Sequence, residues 1–211
     1  MADAREDLLA EIRKHREALA RLELRLREVE ASGADETAAL PWPPKGFYLT
    51  YYVVAGLMIG VLGSLASFAM NVVGSILVAQ DPLLFLRVYG TVFLGVDALR
   101  TQDLSFFMLV AVVHFSVGAV AGALFHVLVN FFCPDRTGLH VALGAAYGLL
   151  LWLLNFYVVI DWLQTSLYGD AYVLQLMPAW VAALTHLVYG VTLGLAQPIG
   201  RFVPYRPAVA A

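Results

Sequence analysis

The sequence predicts an all-α integral membrane protein, a four-transmembrane-helix bundle preceded by a charged, coiled-coil-like helix. Of its 211 residues, 61% are hydrophobic and only 14% are charged. The mean hydropathy is +0.76, far above that of a water-soluble domain of this length. Of the 29 charged side chains, 17 lie in residues 1–36. The chain therefore divides into a charged N-terminal segment and a long apolar segment that suits a membrane.

Four apolar stretches define the membrane domain, residues 47–200. Each has at least the roughly 20 residues that a helix needs to cross a hydrocarbon core of about 30 Å. The predicted spans are about 48–78, 104–132, 139–161 and 176–197. Asp103 is a candidate N-cap for the second span, and Pro198 with Gly200 ends the fourth. Residues 201–211 form a C-terminal tail.

Residues 1–30 form a predicted amphipathic coiled-coil arm. They contain no Gly or Pro, and seven positions recur at alternating spacings of four and three, the pattern of a coiled-coil seam. The seam consists of Leu8, Ile12, His15, Leu19, Leu22, Leu26 and Val29. Such a short coiled coil is marginal alone. We expect its leucines and Ile12 to bind a partner, either a membrane protein or a second copy of the chain.

Residues 31–46 form a predicted linker between the arm and the membrane. Gly33 is expected to stop the first helix, and Pro41, Pro43 and Pro44 favour an extended spacer. Trp42, Lys45, Phe47 and Tyr48 are aromatic and cationic residues typical of a membrane interface.

The loop between the first two spans, about residues 79–103, is itself apolar and begins with the helix-start pair Asp81-Pro82. It is too short to cross the membrane twice. One interpretation is one or two amphipathic helices at the outer interface, broken at Gly90 and Gly95. The alternative is a loop that the protein itself covers, and the hydrophobic pattern does not separate the two.

The cations near the spans predict the orientation. Lys45, Arg136, Arg201 and Arg206 fall on one side, whereas Arg87 and Arg100 fall on the other. Because cytoplasmic loops carry an excess of cations, both termini are expected in the cytoplasm. We therefore expect a multi-pass membrane protein whose two ends lie on the cytoplasmic side.

A nine-residue unit, His or Tyr followed by two glycines at four-residue spacing, occurs once in every span. The four copies are Tyr52-Gly56-Gly60, His114-Gly118-Gly122, His140-Gly144-Gly148 and His186-Gly190-Gly194. Residues at this spacing lie on one stripe of a helix, so each span has a groove of small residues. We expect the glycines to be helix-packing residues that bring backbones close together within the membrane.

His114 and His186 lie about ten residues inside their spans, which places both near the middle of the bilayer. Three interpretations are open: hydrogen bonds that fix helix register, a bis-histidine haem b site, or a proton or ion path. His126 is a third imidazole, with Asn71, Asn130, Asn155, Thr185 and Thr192 as further intramembrane polar groups. His140 is expected at the membrane interface.

Other classes of function have little support in the sequence. A net charge of −3 argues against nucleic-acid binding. The single cysteine, Cys133, excludes a disulfide or a thiolate-rich metal site within one chain. No hydrolase, zinc-protease, P-loop or EF-hand motif is present. We therefore expect no catalytic residue, no metal site and no enzymatic activity.

Three short apolar segments carry a resemblance. They are His-Leu-Val-Tyr-Gly-Val-Thr-Leu-Gly at 186–194, Tyr-Gly-Leu-Leu-Leu-Trp-Leu-Leu-Asn at 147–155 and Asn-Val-Val-Gly-Ser-Ile-Leu-Val at 71–78. Residues 48–197 resemble the uncharacterised four-span bacterial inner-membrane proteins of the YagU-like group. The resemblance implies a compact bundle in the bacterial cytoplasmic membrane and assigns no catalytic residue.

The expected function is that of a structural or assembly subunit of a bacterial membrane complex, without enzymatic activity and without a cofactor. The first alternative is a haem b electron-transfer protein that uses His114 and His186 as ligands. The second is a small transporter or channel.

Overall fold

The structure, a computed structural model, describes residues 2–38, 45–132 and 137–202, with side chains at 11–12, 14–30, 48–132 and 137–202. Within these residues it is helical, with no strand. The helices are α1 (Ala2–Ala38), α2 (Lys45–Ala79), α3 (Leu84–Leu94), α4 (Leu104–Phe132), α5 (Thr137–Leu154), α6 (Asp161–Tyr168), α7 (Tyr172–Leu176) and α8 (Ala179–Ala196). The chain forms two compact units, Met1–Lys45 and Gly46–Ala211.

The first unit contains one long helix, α1. It runs without interruption from Ala2 to Ala38, so the predicted stop at Gly33 is wrong. One glycine destabilises a helix by only about 1 kcal/mol relative to alanine, and the neighbouring alanines favour helix. The prolines of the predicted linker lie outside the described residues.

The second unit has four helical stretches that are long and apolar enough to cross a membrane, as predicted. They are Tyr48–Ala79, Leu104–Phe132, Thr137–Tyr168 and Ala179–Gly200. The third continues past its expected end at 161. It passes through a π-helical turn, Asn155–Ile160, into α6, so Asp161 lies inside the long helix. Gly169 ends this helix with a left-handed φ of 75°, a conformation that glycine adopts without steric cost.

The first and last spans meet where α2 begins. The Tyr51 hydroxyl donates to the carbonyl of Arg201 over 3.5 Å, and the rings of Tyr48 and Phe202 pack edge to face with centroids 5.0 Å apart. We call this the Tyr48 end of the unit and the opposite one the α3 end. The even number of spans brings the start of the first and the end of the fourth to the same end.

α2 and α4 approach each other at glycines nearer the Tyr48 end. A Cβ added to Gly56 would lie 2.6 Å from the Cα of Ala123, and one added to Gly122 would lie 2.7 Å from the backbone nitrogen of Gly60. Gly60 in turn lies against the backbone of Gly118. Because glycine has only a hydrogen atom in place of a side chain, the two backbones are in contact at these positions.

α5 and α8 form a second pair of the same kind. A Cβ added to Gly190 would lie 3.0 Å from the Cα of Gly148, and one added to Gly144 would lie 3.1 Å from the backbone nitrogen of Gly194. Each member of the four-copy repeat thus faces another: the first copy faces the second, and the third copy faces the fourth.

The segment between the first two spans is packed against the bundle. Phe85 and Val88 of α3 are buried in one apolar cluster with Phe156, Val173 and Val181, which favours the protein-covered alternative for this face. The expected break at Gly90 is wrong, because α3 is continuous through it. Gly90 lies against the Phe106 ring and leaves no room for a Cβ. The break at Gly95 is confirmed, with a φ of 57°.

Candidate functional site

A cavity of about 310 Å³ lies among the four spans and α3. It occupies the half of the unit nearer the α3 end and borders the glycine contacts, since Gly118 belongs to both. Every surrounding element contributes to its wall, including Ser67 of α2, Tyr89 of α3, His114 of α4, Asn155 of the π-helical turn and His186 of α8.

The wall is mostly apolar, with convergent polar groups, and none of the described residues that form it carries a charge. Its polar members are Ser64, Ser67, Asn71, Tyr89, His114, Asn155, Thr185, His186 and Tyr189, and the remainder are aliphatic, aromatic or small. Ligand pockets typically combine an apolar wall with a few placed polar groups. The absence of a lining carboxylate, ammonium or guanidinium makes the cavity suited to a neutral occupant, since an unpaired buried charge is costly.

The His114 ring is fixed by the neighbouring span. Its Nε2 lies 3.1 Å from the carbonyl oxygen of Ser64 and 3.4 Å from the hydroxyl of Ser67. Because a carbonyl only accepts, Nε2 carries the proton and donates it, and a neutral ring keeps its lone pair on Nδ1. The Phe68 ring packs edge to face against the imidazole with centroids 5.7 Å apart.

The His186 ring takes the opposite tautomer. Its Nδ1 lies 2.8 Å from the carbonyl oxygen of Ala182, one turn earlier in α8. Nδ1 therefore donates, and Nε2 of the neutral ring keeps the lone pair. The Phe156 ring packs edge to face against it at 6.1 Å. Each histidine of the cavity thus has one nitrogen held by backbone and the other available as an acceptor.

Two tyrosines join the helix pairs beside the cavity. The Tyr189 hydroxyl of α8 donates to the carbonyl of Gly118 over 2.6 Å. The Tyr147 hydroxyl of α5 donates to the carbonyl of Ala121 over 2.9 Å. Both acceptors belong to α4, so the second helix pair is hydrogen-bonded to the first at the level where the glycine contacts give way to the cavity.

We call α3 and the short helix α7 the cap of the α3 end, and polar contacts fix it. The fully buried Gln164 side chain donates to the Thr91 hydroxyl over 2.8 Å and accepts from the Val173 backbone N–H over 2.9 Å. It therefore connects α6 to both α3 and α7. The buried Arg87 forms an ion pair with Asp81, so the cation of α3 is neutralised outside the cavity wall.

A second buried polar group lies toward the Tyr48 end. His126 is fully buried, with Nε2 lying 3.1 Å from the Gly200 carbonyl and Nδ1 lying 2.6 Å from the Gln197 side-chain amide. His140 is also fully buried, so the expectation of a hydrated imidazole is wrong. Its backbone lies against Gly194 where α5 and α8 come into close contact.

The structure places the two proposed haem ligands, His114 and His186, on the wall of the same cavity. Within the described residues, no group of three or more His, Cys, Asp or Glu is placed to hold a metal ion. Asn71, Asn155 and Thr185 were expected as intramembrane polar groups and also line the cavity. Sequence reasoning missed the wall residues Ser64, Ser67, Tyr89 and Tyr189. Ser64 and Ser67 follow Gly60 by four and seven residues and so continue its stripe, which is a usable signal.

The proposed partner-binding face of α1 is a separate surface. Its described seam residues Ile12, Leu19, Leu22, Leu26 and Val29 are all exposed. Leu8 lies in the helix, but its side chain is outside the described ones.

Comparisons of the chain with known protein families, with curated proteins and with solved structures gave no match. The resemblance to the YagU-like group therefore stays a prediction.

Proposed function

We propose that the protein is a small membrane transporter or carrier that binds a neutral, largely apolar molecule in the cavity. The observation that carries this proposal is the convergence of polar side chains from all four spans on one space of about 310 Å³. A volume near 300 Å³ is at the lower end of ordinary ligand pockets. Packing of the spans alone has no use for such a space, because membrane helices associate through close contact.

The wall chemistry defines the class of ligand. The free acceptor nitrogens of His114 and His186 suit a hydroxyl or amide donor on the ligand. Donors and acceptors on Asn71 and Asn155 suit a carbonyl or hydroxyl, and the surrounding aliphatic and aromatic side chains suit an apolar body. A small phenol, alcohol or amide has these properties, whereas an inorganic ion or a carboxylate lacks a counter-charge on the wall.

The haem alternative uses the same two histidines. A ligating histidine commonly donates its other ring N–H to a backbone carbonyl, which agrees with the contacts of both rings. It requires the Nδ1 of His114 and the Nε2 of His186 to bind one iron, so the absorption spectrum of the purified protein is decisive. A Soret band lost in His114→Ala and His186→Ala would replace the carrier proposal with electron transfer.

The cavity proposal is tested by filling the space. Val113 lines the cavity, and Val113→Trp should place an indole inside it. Neutral small molecules that co-purify with the wild type from native membranes, identified by mass spectrometry, should be depleted at least tenfold from this variant.

The matched control is Val112→Trp. Val112 is the preceding residue of α4, is 60% exposed and does not line the cavity. This variant should retain the wild-type set of molecules. If no molecule distinguishes the wild type from Val113→Trp, while both variants are folded and monodisperse, the carrier proposal is wrong.

A second candidate, a structural or assembly subunit, is favoured by the exposed seam of α1. Leu19→Asp combined with Leu22→Asp should leave membrane insertion unchanged and abolish co-purification of partners or copies. A partner set equal to that of the wild type would contradict this role.

We also propose the bacterial cytoplasmic membrane as the location, with both ends of the chain in the cytoplasm. The support for the location is the resemblance of residues 48–197 to the YagU-like group, and the support for the orientation is the cation distribution of the sequence. A reporter fused at either end should give the cytoplasmic signal, and a periplasmic signal from both would reverse the orientation.

A further inference from the structure

We propose that α1 binds the α1 of a second copy of this chain in a parallel, two-stranded coiled coil. The dimer rests on the assembly role proposed above for α1 and is independent of the cavity. The described apolar seam residues are 42% to 69% exposed, on a helix that runs uninterrupted from Ala2 to Ala38. In heptad terms, Ile12, Leu19 and Leu26 occupy a positions, and His15, Leu22 and Val29 occupy d positions.

The charges beside the seam identify the partner. In a parallel coiled coil, a g residue lies next to the e residue five positions later in the other helix. Glu11 then faces Arg16 of the second copy, and Arg25 faces Glu30. Both pairs are attractive, and two-fold symmetry doubles them. The remaining pair joins Ala18 to Glu23, so the parallel dimer contains no repulsive pair along the described seam.

The antiparallel arrangement fits less well. The register that pairs Ile12 with Val29 places His15 opposite the apolar Leu26. The parallel register instead places the two His15 rings in one layer. A matched polar layer within an apolar seam is a known device for fixing register and orientation. Both arms also join their membrane domains through their C-terminal ends, which the parallel dimer places side by side.

Cysteine cross-linking of the full-length protein in native membranes tests the arrangement. With Cys133 replaced by Ser, Leu22→Cys should form a disulfide-linked dimer on mild oxidation, because the two d positions meet across the seam. Leu24→Cys is the matched control: Leu24 and Leu22 are both 63% exposed, but Leu24 lies at an f position, away from the seam. It should form at least tenfold less dimer.

Charge reversal tests the partner. Arg25→Glu replaces two attractive pairs with two repulsive ones and should raise the dissociation constant of the dimer about tenfold. Adding Glu30→Arg restores attraction and should return it to the wild-type value. Far-UV circular dichroism and a monodisperse elution profile show that each variant remains folded.

Equal cross-linking of Leu22→Cys and Leu24→Cys would overturn the dimer, and preferential linking of Leu19→Cys to Leu22→Cys in mixed membranes would overturn its parallel direction. An unchanged dissociation constant in Arg25→Glu would overturn the charge pairing. Loss of a different protein from the Leu19→Asp, Leu22→Asp preparation, without any cross-link, would leave the assembly role and reject the dimer.

Discussion

At the Tyr48 end of the membrane unit, glycines let backbones touch within each helix pair, whereas at the α3 end the same four spans surround a cavity and carry a cap. The first region depends on the absence of side chains. The second depends on side chains that meet across open space, such as Gln164 with Thr91. Neither region alone gives both close helix packing and a cavity.

The difference separates two mechanical roles. At the glycine contacts no side chain can adopt another rotamer to make room, so a larger residue there must push the helices apart. At the cap and the cavity, the long polar side chains can change rotamer. We therefore expect substitutions to be most damaging at the glycine contacts and graded at the α3 end.

The glycine contacts are broken most directly by Gly144→Leu. Its side chain would enter the backbone of α8 at Gly190 and Gly194, and overpacking should destabilise the unit by about 3 kcal/mol or more. Thermal unfolding in detergent measures the effect. Gly138→Leu is a control on the same helix, because nothing lies within 4 Å of a Cβ added there. Equal stability of the two variants would contradict the proposed role of the close approach.

The cap is broken by Gln164→Leu. This substitution leaves the buried Val173 N–H without its acceptor and the Thr91 hydroxyl without its donor, so the free energy of unfolding should fall by about 2 kcal/mol. Gln175→Leu, at an exposed glutamine of α7, should leave it nearly unchanged. The comparison predicts a loss smaller than that of Gly144→Leu. A larger loss would move the main source of stability to the α3 end.

The sequence was a good guide to the glycine contacts and a poor one to the cap. Four spans followed from length and hydropathy, and the repeat located the residues where backbones meet. The pairing of α2 with α4 and of α5 with α8 was not predictable, since all four stripes are alike. The π-helical turn at Asn155–Ile160, which contains the buried Phe156, was also hidden, because an apolar run carries no pattern that marks such a turn.

The cavity could be predicted only in part for a related reason. His114 and His186 were identified by their depth, which is a property of each span alone. Their common wall depends on how the helix pairs meet, and this is set by contacts such as that of Tyr189 with Gly118. The role of Gly90 was also hidden, because it depends on a contact with another helix. Gly90 leaves space for the ring of Phe106 and does not break α3.

The boundary between the two regions is tested by Tyr189→Phe. Losing the hydroxyl removes the hydrogen bond to Gly118, and the free energy of unfolding should fall by about 1 kcal/mol. Tyr147→Phe removes the corresponding bond to Ala121 and should have a similar effect. Tyr157→Phe, at a half-exposed ring, serves as the control and should be neutral. Additive losses in the double variant would show that the two bonds join the helix pairs independently.

The smallest expected effect concerns Asp103, at the start of α4 on the α3 end. The Asp103 carboxylate accepts two hydrogen bonds from Ser105, one from the backbone N–H over 3.0 Å and one from the hydroxyl over 2.9 Å. These bonds lower the pKa of the Asp103 carboxyl.

A carboxyl whose pKa is lower in the folded state than in the unfolded state stabilises the fold at pH values above the unfolded-state pKa. This contribution is lost as the pH falls through the folded-state pKa. The wild type should therefore unfold at a higher temperature than Asp103→Asn at pH 7, and the difference should shrink at acidic pH, below the unfolded-state pKa of the carboxyl. Asparagine retains the cap without titrating, and the other carboxyl groups are common to both proteins. A difference equal at both pH values would mean that the charge of Asp103 does not stabilise this end, and that capping here depends on hydrogen-bond geometry alone.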